Sequence, residues 1–253
     1  MIRAQWSTEG RDLDMRAVLL AGGQGQRLRP YTAVLPKPLM PVGDRPIMDV
    51  IVRQLRKAGV DRITVATGYL AELLEVFFGD GSKYGIPIDY VREHEPLGTA
   101  GALGLIDGLD DDFIMMNGDV LTDLDYARLY EDHRNSDAAA TIAMRTREVE
   151  ISLGVLRCDD QEDPTRLTDY LEKPHMQYQI SMGVYCFSPA VTDYIEPGVR
   201  LDFPDLVLRL LERGRTVRAW PSTDYWLDIG RHDDYELALD EFDRMRDRLL
   251  PAE

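Results

Sequence analysis

The sequence predicts an α/β protein built on a Rossmann-like, mixed but mostly parallel sheet with helices on both faces. Three observations lead there. Strand-like and helix-like segments alternate through the first half of the chain. A glycine cluster follows the first apolar run directly. The second half then trades helices for a series of strand-like runs.

Taken in order, residues 16–20 (RAVLL) form a short buried strand ahead of the glycines. Residues 47–58 carry Ile47, Val50, Ile51, Leu55 and Ala58 at helical spacing, and Gly59 stops the helix. Residues 62–66 are a strand, 71–78 a helix ending at Gly79-Asp80-Gly81, and 86–91 a strand. Residues 100–109 are expected to be helical despite Gly101, Gly104 and Gly108. Residues 112–116 (DFIMM) form a buried strand ending at Asn117-Gly118-Asp119. Residues 138–144, 153–157, 165–172 and 180–187 are strands with little helix between them, so antiparallel additions to the sheet are expected. Residues 205–212 and 233–249 are helices. No internal repeat or low-complexity tract divides the chain, which points to one domain over residues 15–253 behind a short flexible leader, 1–14.

Composition narrows the class. Of 253 residues, 44% are hydrophobic and 29% charged, as in a soluble globular protein. No apolar run approaches the roughly 18 residues of a membrane span, and residues 1–14 lack a signal peptide's apolar stretch. Cys158 and Cys186 lie in strand-like runs and are expected to be core thiols in a reduced cytoplasm. His94, His133, His175 and His232 lack metal-ligand spacing and are expected to be exposed. The net charge of −16 disfavours nucleic acid as a partner. Phosphate substrates would therefore need local positive partners. Only four of the 29 basic residues are lysines, and two of them, Lys37 and Lys173, sit in Leu-Pro-Lys-Pro and Glu-Lys-Pro. A lysine ammonium is a point charge that an arginine fork does not imitate, so both are candidate phosphate contacts, with solvated loop lysines the alternative.

The glycine loop runs from Ala21 to Pro30, AGGQGQRLRP. Glycines after a parallel strand let backbone amides approach a phosphate, at the crevice end of the sheet. A Walker loop is excluded, since no Gly-x-x-x-x-Gly-Lys-Ser/Thr string occurs. A dinucleotide fingerprint also fails, because Gln26-Arg27-Leu28 stands where the third glycine belongs. The loop carries arginines instead.

The longer string from Leu20 to Val42, LAGGQGQRLRPYTAVLPKPLMPV, resembles the signature of sugar-1-phosphate nucleotidylyltransferases. Glu95-Pro96-Leu97-Gly98-Thr99-Ala100-Gly101, Asn117-Gly118-Asp119, Glu172-Lys173-Pro174 and Trp226-Leu227-Asp228-Ile229-Gly230 come after it in the family's order over residues 15–240. The Glu-Pro-Leu-Gly-Thr-Ala-Gly segment is most similar to mannose-1-phosphate guanylyltransferase-like members. The resemblance implies the nucleotide-diphospho-sugar transferase fold, here expected without a C-terminal β-helix domain.

It also implies roles. The reaction joins a nucleoside triphosphate to a sugar-type 1-phosphate, giving an NDP-sugar and pyrophosphate. The attacking phosphate oxygen is already ionised, so catalysis is alignment and charge stabilisation. Arg27 and Lys37 would be catalytic, against the triphosphate. Leu20, Ala21, Gly22, Gly23, Gly25, Glu93, Pro96, Gly98 and Thr99 would bind the nucleotide. Asn117, Gly118, Gly154, Glu172, Lys173 and Gly183 would bind the sugar phosphate. Asp119 and Asp228 would hold Mg²⁺, which favours one or two carboxylates with phosphate oxygens and water. Capping or turn aspartates are the alternative for both, and that role is expected of Asp123 and Asp125.

Two departures fall in the sugar pocket. Ser181-Met182-Gly183 replaces the family's usual Asn-Ala-Gly, and Leu153 replaces an aromatic before Gly154. A heptose or cyclitol phosphate is thus an alternative acceptor. Glu93 favours GTP, because an ionised carboxylate accepts two hydrogen bonds and guanine offers two adjacent donors. UTP and dTTP remain alternatives. A regulatory protein that senses NDP-sugar without turnover is the rival from another class, and a homo-oligomer stays open.

Overall fold

The computed structural model describes residues 15–250, so the leader expected over residues 1–14 lies outside the described residues. Strand β1 (Arg16–Ala21) alternates its side chains between two cores: Ala17, Leu19 and Ala21 face one, and Val18 faces the other. A central parallel strand buried on both faces carries no polar alternation, as its sequence shows. A short hairpin of β2 (Pro41–Val42) and β3 (Arg45–Pro46) leads into α1 (Ile47–Ala58), ended by Gly59 at φ 100°. Strand β4 (Arg62–Thr67), α2 (Ala71–Phe78) and β5 (Ile88–Arg92) come next.

Between α2 and β5 the chain turns sharply at Gly81, φ 84°, where an added Cβ would lie 1.9 Å from the Ile86 carbonyl oxygen. Gly81→Ala is expected to cost about 2–5 kcal/mol, combining left-handed strain with overpacking. Chemical denaturation checks this, and an unchanged midpoint would refute it.

The helix expected over residues 100–109 is instead a single turn, α3 (Gly98–Gly101), followed by a 3₁₀ turn at Ala102–Leu105. The reason is tertiary. The Ala100 and Gly101 N–H groups both donate to the Leu201 carbonyl, at 2.9 and 3.0 Å. A Cβ at Gly101 would lie 2.8 Å from the Val199 carbonyl, and one at Gly104 3.2 Å from Pro197 Cα. The two glycines are there because another segment lies on them.

Strands β6 (Phe113–Asn117) and β7 (Val120–Thr122) precede α4 (Tyr126–Arg134). Strand β8 (Ala140–Glu150) then runs out to a ribbon, β9 (Val155–Arg157) and β10 (Asp169–Leu171), and the chain returns as β11 (His175–Phe187). Helix α5 (Phe203–Glu212), β12 (Val217–Pro221), β13 (Trp226–Asp228) and α6 (His232–Leu249) complete it.

The main sheet has seven strands in the order β12-β8-β11-β6-β1-β4-β5, and β11 alone is antiparallel to its neighbours. The sheet is therefore mixed and mostly parallel, as expected, and the second half adds antiparallel pairings to it, β11 with β6 and with β8, while β12 joins β8 in parallel. The runs at 153–157 and 165–172 shrink to β9 and β10, which stand outside that sheet. One core lies under α1, α2, α4 and α6, through residues such as Val50, Phe78, Leu129 and Phe242. The other lies under α3 and α5, through Ala100, Leu206 and Leu210.

Three smaller expectations are corrected. Cys186 is buried but Cys158 is exposed, because β9 lies on the outer ribbon. His133 is buried, its Nδ1 2.8 Å from Thr141 Oγ1, and burial pushes its pKa below the usual imidazole range. Asp125 does cap α4, accepting from Arg128 N at 3.0 Å, but Asp123 is a clasp. It accepts from Tyr225 N at 2.8 Å and from Arg248 Nε at 2.7 Å, joining β13 to α6. Beside it Gln54 Nε2 donates to the Thr122 and Leu249 carbonyls, both at 2.8 Å. Among the described residues no helix is long and apolar enough to cross a membrane.

Candidate active site

The carboxyl ends of β1 and β6 lie side by side, with Leu20 opposite Asn117. The segments leaving the two strands therefore meet at one crevice. After β1 the chain enters the glycine loop. Gly25 adopts φ 59° and opens a 3₁₀ turn, Gln26–Leu28, that carries Arg27. Thr32 packs where a Cβ at Gly25 would lie, 2.8 Å from its Cγ2, and its hydroxyl donates to the Gly25 carbonyl at 2.8 Å. After β6 the Gly118 N–H donates to the Leu20 carbonyl at 2.9 Å, with Pro38 Cγ 3.5 Å from where a Cβ would be. That close approach brings Asp119 under the loop.

Asp119 sits between two elements. Its Oδ2 accepts from the ammonium of Lys37, a buried side chain held between Pro36 and Pro38. Its Oδ1 is buried and has no hydrogen-bond partner among the described residues. Such an orphaned oxygen is costly unless something outside the chain satisfies it. Strand β13 pairs with β7, setting Asp228 opposite Val120, and the Ile229 N–H donates to the Asp119 carbonyl at 3.2 Å. The two carboxylates are therefore neighbours. Asp228 keeps one side to solvent, yet its pKa is raised, first by desolvation and then by the Asp119 charge, with Lys37 and Arg27 opposing. Asp228, Asp234 and Arg27 converge on Gly230: a Cβ there would lie 3.5, 3.5 and 3.6 Å from Asp228 Oδ2, Asp234 Oδ2 and Arg27 Nη2.

Three cavities meet around this pair. The first, about 400 Å³, is lined by Leu20, Ala21, Gly23, Gly25, Arg27, Lys37 and Asp119. The second, about 290 Å³, is lined by Gly22, Glu93, Pro96, Gly98, Thr99 and Asn117 and shares Leu20, Gly23 and Asp119 with the first. The third, about 690 Å³, lies on the far side of Asp228 and shares Arg27 and Gly230 with the first. Every residue expected to contact the nucleotide lines one of the first two.

Glu93 is half-buried. Its Oε2 accepts the Leu97 N–H at 2.9 Å, and a Cβ on Gly22 would lie 2.7 Å from its Oε1. Burial raises its pKa, against that hydrogen bond. Because each carboxylate oxygen accepts two bonds, acceptor capacity remains toward the second cavity. Gly98, at φ 79°, leaves no room for a Cβ against Leu201 and Asp202, and the Thr99 hydroxyl accepts the Phe203 N–H at 2.7 Å. Nothing in the local sequence flags that anchoring segment, which is about a hundred positions away.

The expected sugar-side residues divide. Gly183 (φ 72°) lies at a bulge in β11, where a Cβ would meet Asn117 Nδ2 at 2.8 Å, so it shapes the floor beneath Asn117. Gly154, Glu172 and Lys173 cluster instead at the near end of the β9–β10 ribbon. A Cβ at Gly154 would lie 2.2 Å from the Tyr170 hydroxyl, which donates to Glu172 Oε2 at 3.3 Å. Glu172 and Lys173 are both exposed, and these three line none of the three cavities. The third cavity is walled instead by Arg145, Arg147, Trp226 and Arg231. The sequence signal for the two β8 arginines is their i, i+2 spacing just beyond the strand expected over 138–144.

The donor set suits Mg²⁺. Two adjacent carboxylates, one with an orphaned buried oxygen, match an ion that takes one or two carboxylates and completes its shell with phosphate and water. No group of three or more His, Cys, Asp or Glu side chains able to hold a metal occurs among the described residues.

Comparisons with known proteins agree with this geometry. The family described as nucleotidyl transferase matches residues 16–244. The chain is 36% identical over 245 residues to UTP–glucose-1-phosphate uridylyltransferase of Synechocystis sp., covering 89% of this chain and 62% of that protein. It is 31% identical over 230 residues to D-glycero-alpha-D-manno-heptose 1-phosphate guanylyltransferase of Aneurinibacillus thermoaerophilus, covering 90% of this chain and 98% of that one. The crystal structure of HddC from Yersinia pseudotuberculosis complexed with GMP-PN superposes with a TM-score of 0.64 at 26% identity, covering 90% of this chain and 99% of that one. The chain thus spans a little under two thirds of the Synechocystis relative and nearly all of the heptose-phosphate one.

Proposed function

The chain belongs to the nucleotidyl transferase family, and from that premise we propose that it transfers a nucleotidyl group from a nucleoside triphosphate to a sugar-type 1-phosphate. An oxygen of the acceptor phosphate attacks the α-phosphorus. The bond from that phosphorus to the oxygen bridging to the β-phosphorus breaks, and pyrophosphate leaves. No carbon–oxygen bond is cut, so the anomeric carbon keeps its configuration.

The observation that carries this reading is the orphaned Asp119 Oδ1, buried beneath a glycine loop and beside a second carboxylate. The loop amides and Lys37 hold the triphosphate, while Arg27 stands where charge accumulates on the departing pyrophosphate. Asp119 and Asp228 would hold Mg²⁺, which would neutralise phosphate charge when bound. A pyrophosphate-release assay across the common nucleoside triphosphates and a panel of sugar 1-phosphates tests the whole. Release should require both substrates. Binding of an NDP-sugar with no release from any pair would leave a sensor rather than an enzyme.

GTP is the favoured nucleotide, since Glu93 presents an acceptor-only group to the second cavity. Glu93→Gln keeps the shape and the bond from Leu97 but turns one acceptor into a donor. One mismatched hydrogen bond costs about 1–3 kcal/mol, so the GTP:UTP ratio of kcat/KM should fall roughly ten- to a hundredfold. A wild type that prefers UTP or dTTP rules the guanine reading out. A mutant with an unchanged ratio puts base recognition on the loop backbone.

A further inference from the structure

The third cavity has a charge pattern that a single reacting phosphate does not account for. That phosphate must reach the α-phosphorus, so it belongs at the boundary with the first cavity, by Arg27 and Gly230. The remaining space extends along β13 and β8. Arg145 and Arg147, two apart on β8, point to the same face of the strand, opposite Ile180 and Tyr178 of β11.

Arg145 is fixed in place. Its Nη1 donates to the Trp226 carbonyl at 3.3 Å, and its guanidinium carbon is 5.7 Å from the centroid of the Trp226 ring. Trp226 is itself held by its Nε1, which donates to the Met182 carbonyl at 2.6 Å. Trp226 lies two residues before Asp228 on β13, a separation of about 7 Å along a strand. Arg145 is therefore anchored away from the metal-side carboxylates, near the part of an acceptor distal to its reacting phosphate. Most of its five donors remain open.

The Arg147 side chain makes no hydrogen bond or ion pair among the described residues. This stands out in a chain of net charge −16. Arg62, Arg92, Arg200 and Arg246 each hold a carboxylate within 3.1 Å. Of the three acids lining the same cavity, Asp228 stands at its metal-side boundary and the other two are engaged locally. Glu148 Oε1 lies 2.8 Å from His175 Nδ1, and Asp234 Oδ2 accepts the Arg231 N–H at 2.8 Å at the start of α6. The cavity wall thus has two guanidinium groups without carboxylate partners among the described residues, on one strand face, beyond the position of the reacting phosphate. A planar fork of donors suits a carboxylate or phosphate far better than sugar hydroxyls.

We propose that Arg145 and Arg147 form an anion subsite for a second negative group on the acceptor. The preferred acceptor is then a sugar-type 1-phosphate bearing a further carboxylate or phosphate. This rests on the transfer reading for its biological meaning, although the subsite can be measured without turnover.

Isothermal titration calorimetry at fixed ionic strength provides the test. The probes are the 1-phosphate, the 1,6-bisphosphate and the uronic acid 1-phosphate, each in the gluco and manno series. Wild type should bind at least one doubly anionic probe tenfold or more tighter than the simple 1-phosphate of its series, and which one distinguishes phosphate from carboxylate. Arg147→Ala should bring that ratio close to one, and Arg147→Lys should retain part of it. Equal binding of all probes in both series overturns the subsite. So does Arg147→Ala weakening every probe alike, which would assign Arg147 to the reacting phosphate. A wild type with the binding preference but no pyrophosphate release with any triphosphate supports the subsite and overturns the transfer reading.

Discussion

Asp119→Asn is expected to lower turnover at least about a hundredfold while leaving the fold intact, because it removes a charged metal ligand from the centre of the site. The amide is the same size, and its oxygen can still accept from Lys37, so the β6–β7 connection should hold. The orphaned Oδ1 loses its negative charge, which is what a divalent cation would require. Asp228→Asn should have an effect of the same order. Because the Asp119 charge helps to raise the Asp228 pKa, losing either carboxylate relieves repulsion, and neither variant should melt lower through that effect. Steady-state assays over a range of Mg²⁺, beside thermal melts, decide the matter. A folded variant with near-normal turnover at ordinary Mg²⁺ would remove that aspartate from the metal site.

Arg27→Ala is expected to reduce kcat by about 10²–10³, with a smaller rise in the KM for the triphosphate. Arg27 is exposed at the junction of the first and third cavities and makes no hydrogen bond or ion pair among the described residues. Its 3₁₀ turn is set by Gly25 and Thr32, so an alanine should leave the loop in place. Interactions that strengthen as charge moves to the leaving group act on kcat, whereas uniform binding acts on KM. Titrating both substrates separates the two. A pure KM effect would make Arg27 a ground-state clamp.

The glycine loop and Asp119 were legible because each follows a strand of the parallel sheet, which brings strand ends together, whereas Lys37, in a 3₁₀ turn, and Asp228, on β13 beside β7, were legible only as short strings. The residues whose positions depend on distant partners were not. The 100–109 segment has helical spacing, but its glycines accommodate the backbone of residues 195–201, and that tertiary contact decides its conformation. Strand-like runs at 153–157 and 165–172 were visible, yet no local feature says that they pair with each other outside the sheet. For the same reason Glu172 and Lys173 fall on a ribbon away from the cavities, while Arg145 and Arg147 on β8 line one of them. His133 is polar by type, but its Thr141 hydroxyl partner makes burial tolerable.

The clasp at Asp123 has a consequence for the order in which the site is assembled. Strands β1, β4, β5 and β6, with the glycine loop, come from residues 16–117, a span of mostly neighbouring β-α-β units. Asp228 joins them only when β13 pairs with β7, a closure across more than a hundred residues, and Asp123 and Gln54 then tie that strand to the last turn of α6. Contacts of such sequence separation form late, because their chain entropy must be overcome first. A nascent chain thus emerges with its glycine loop long before its second carboxylate, and the site is complete only once β13 has paired with β7.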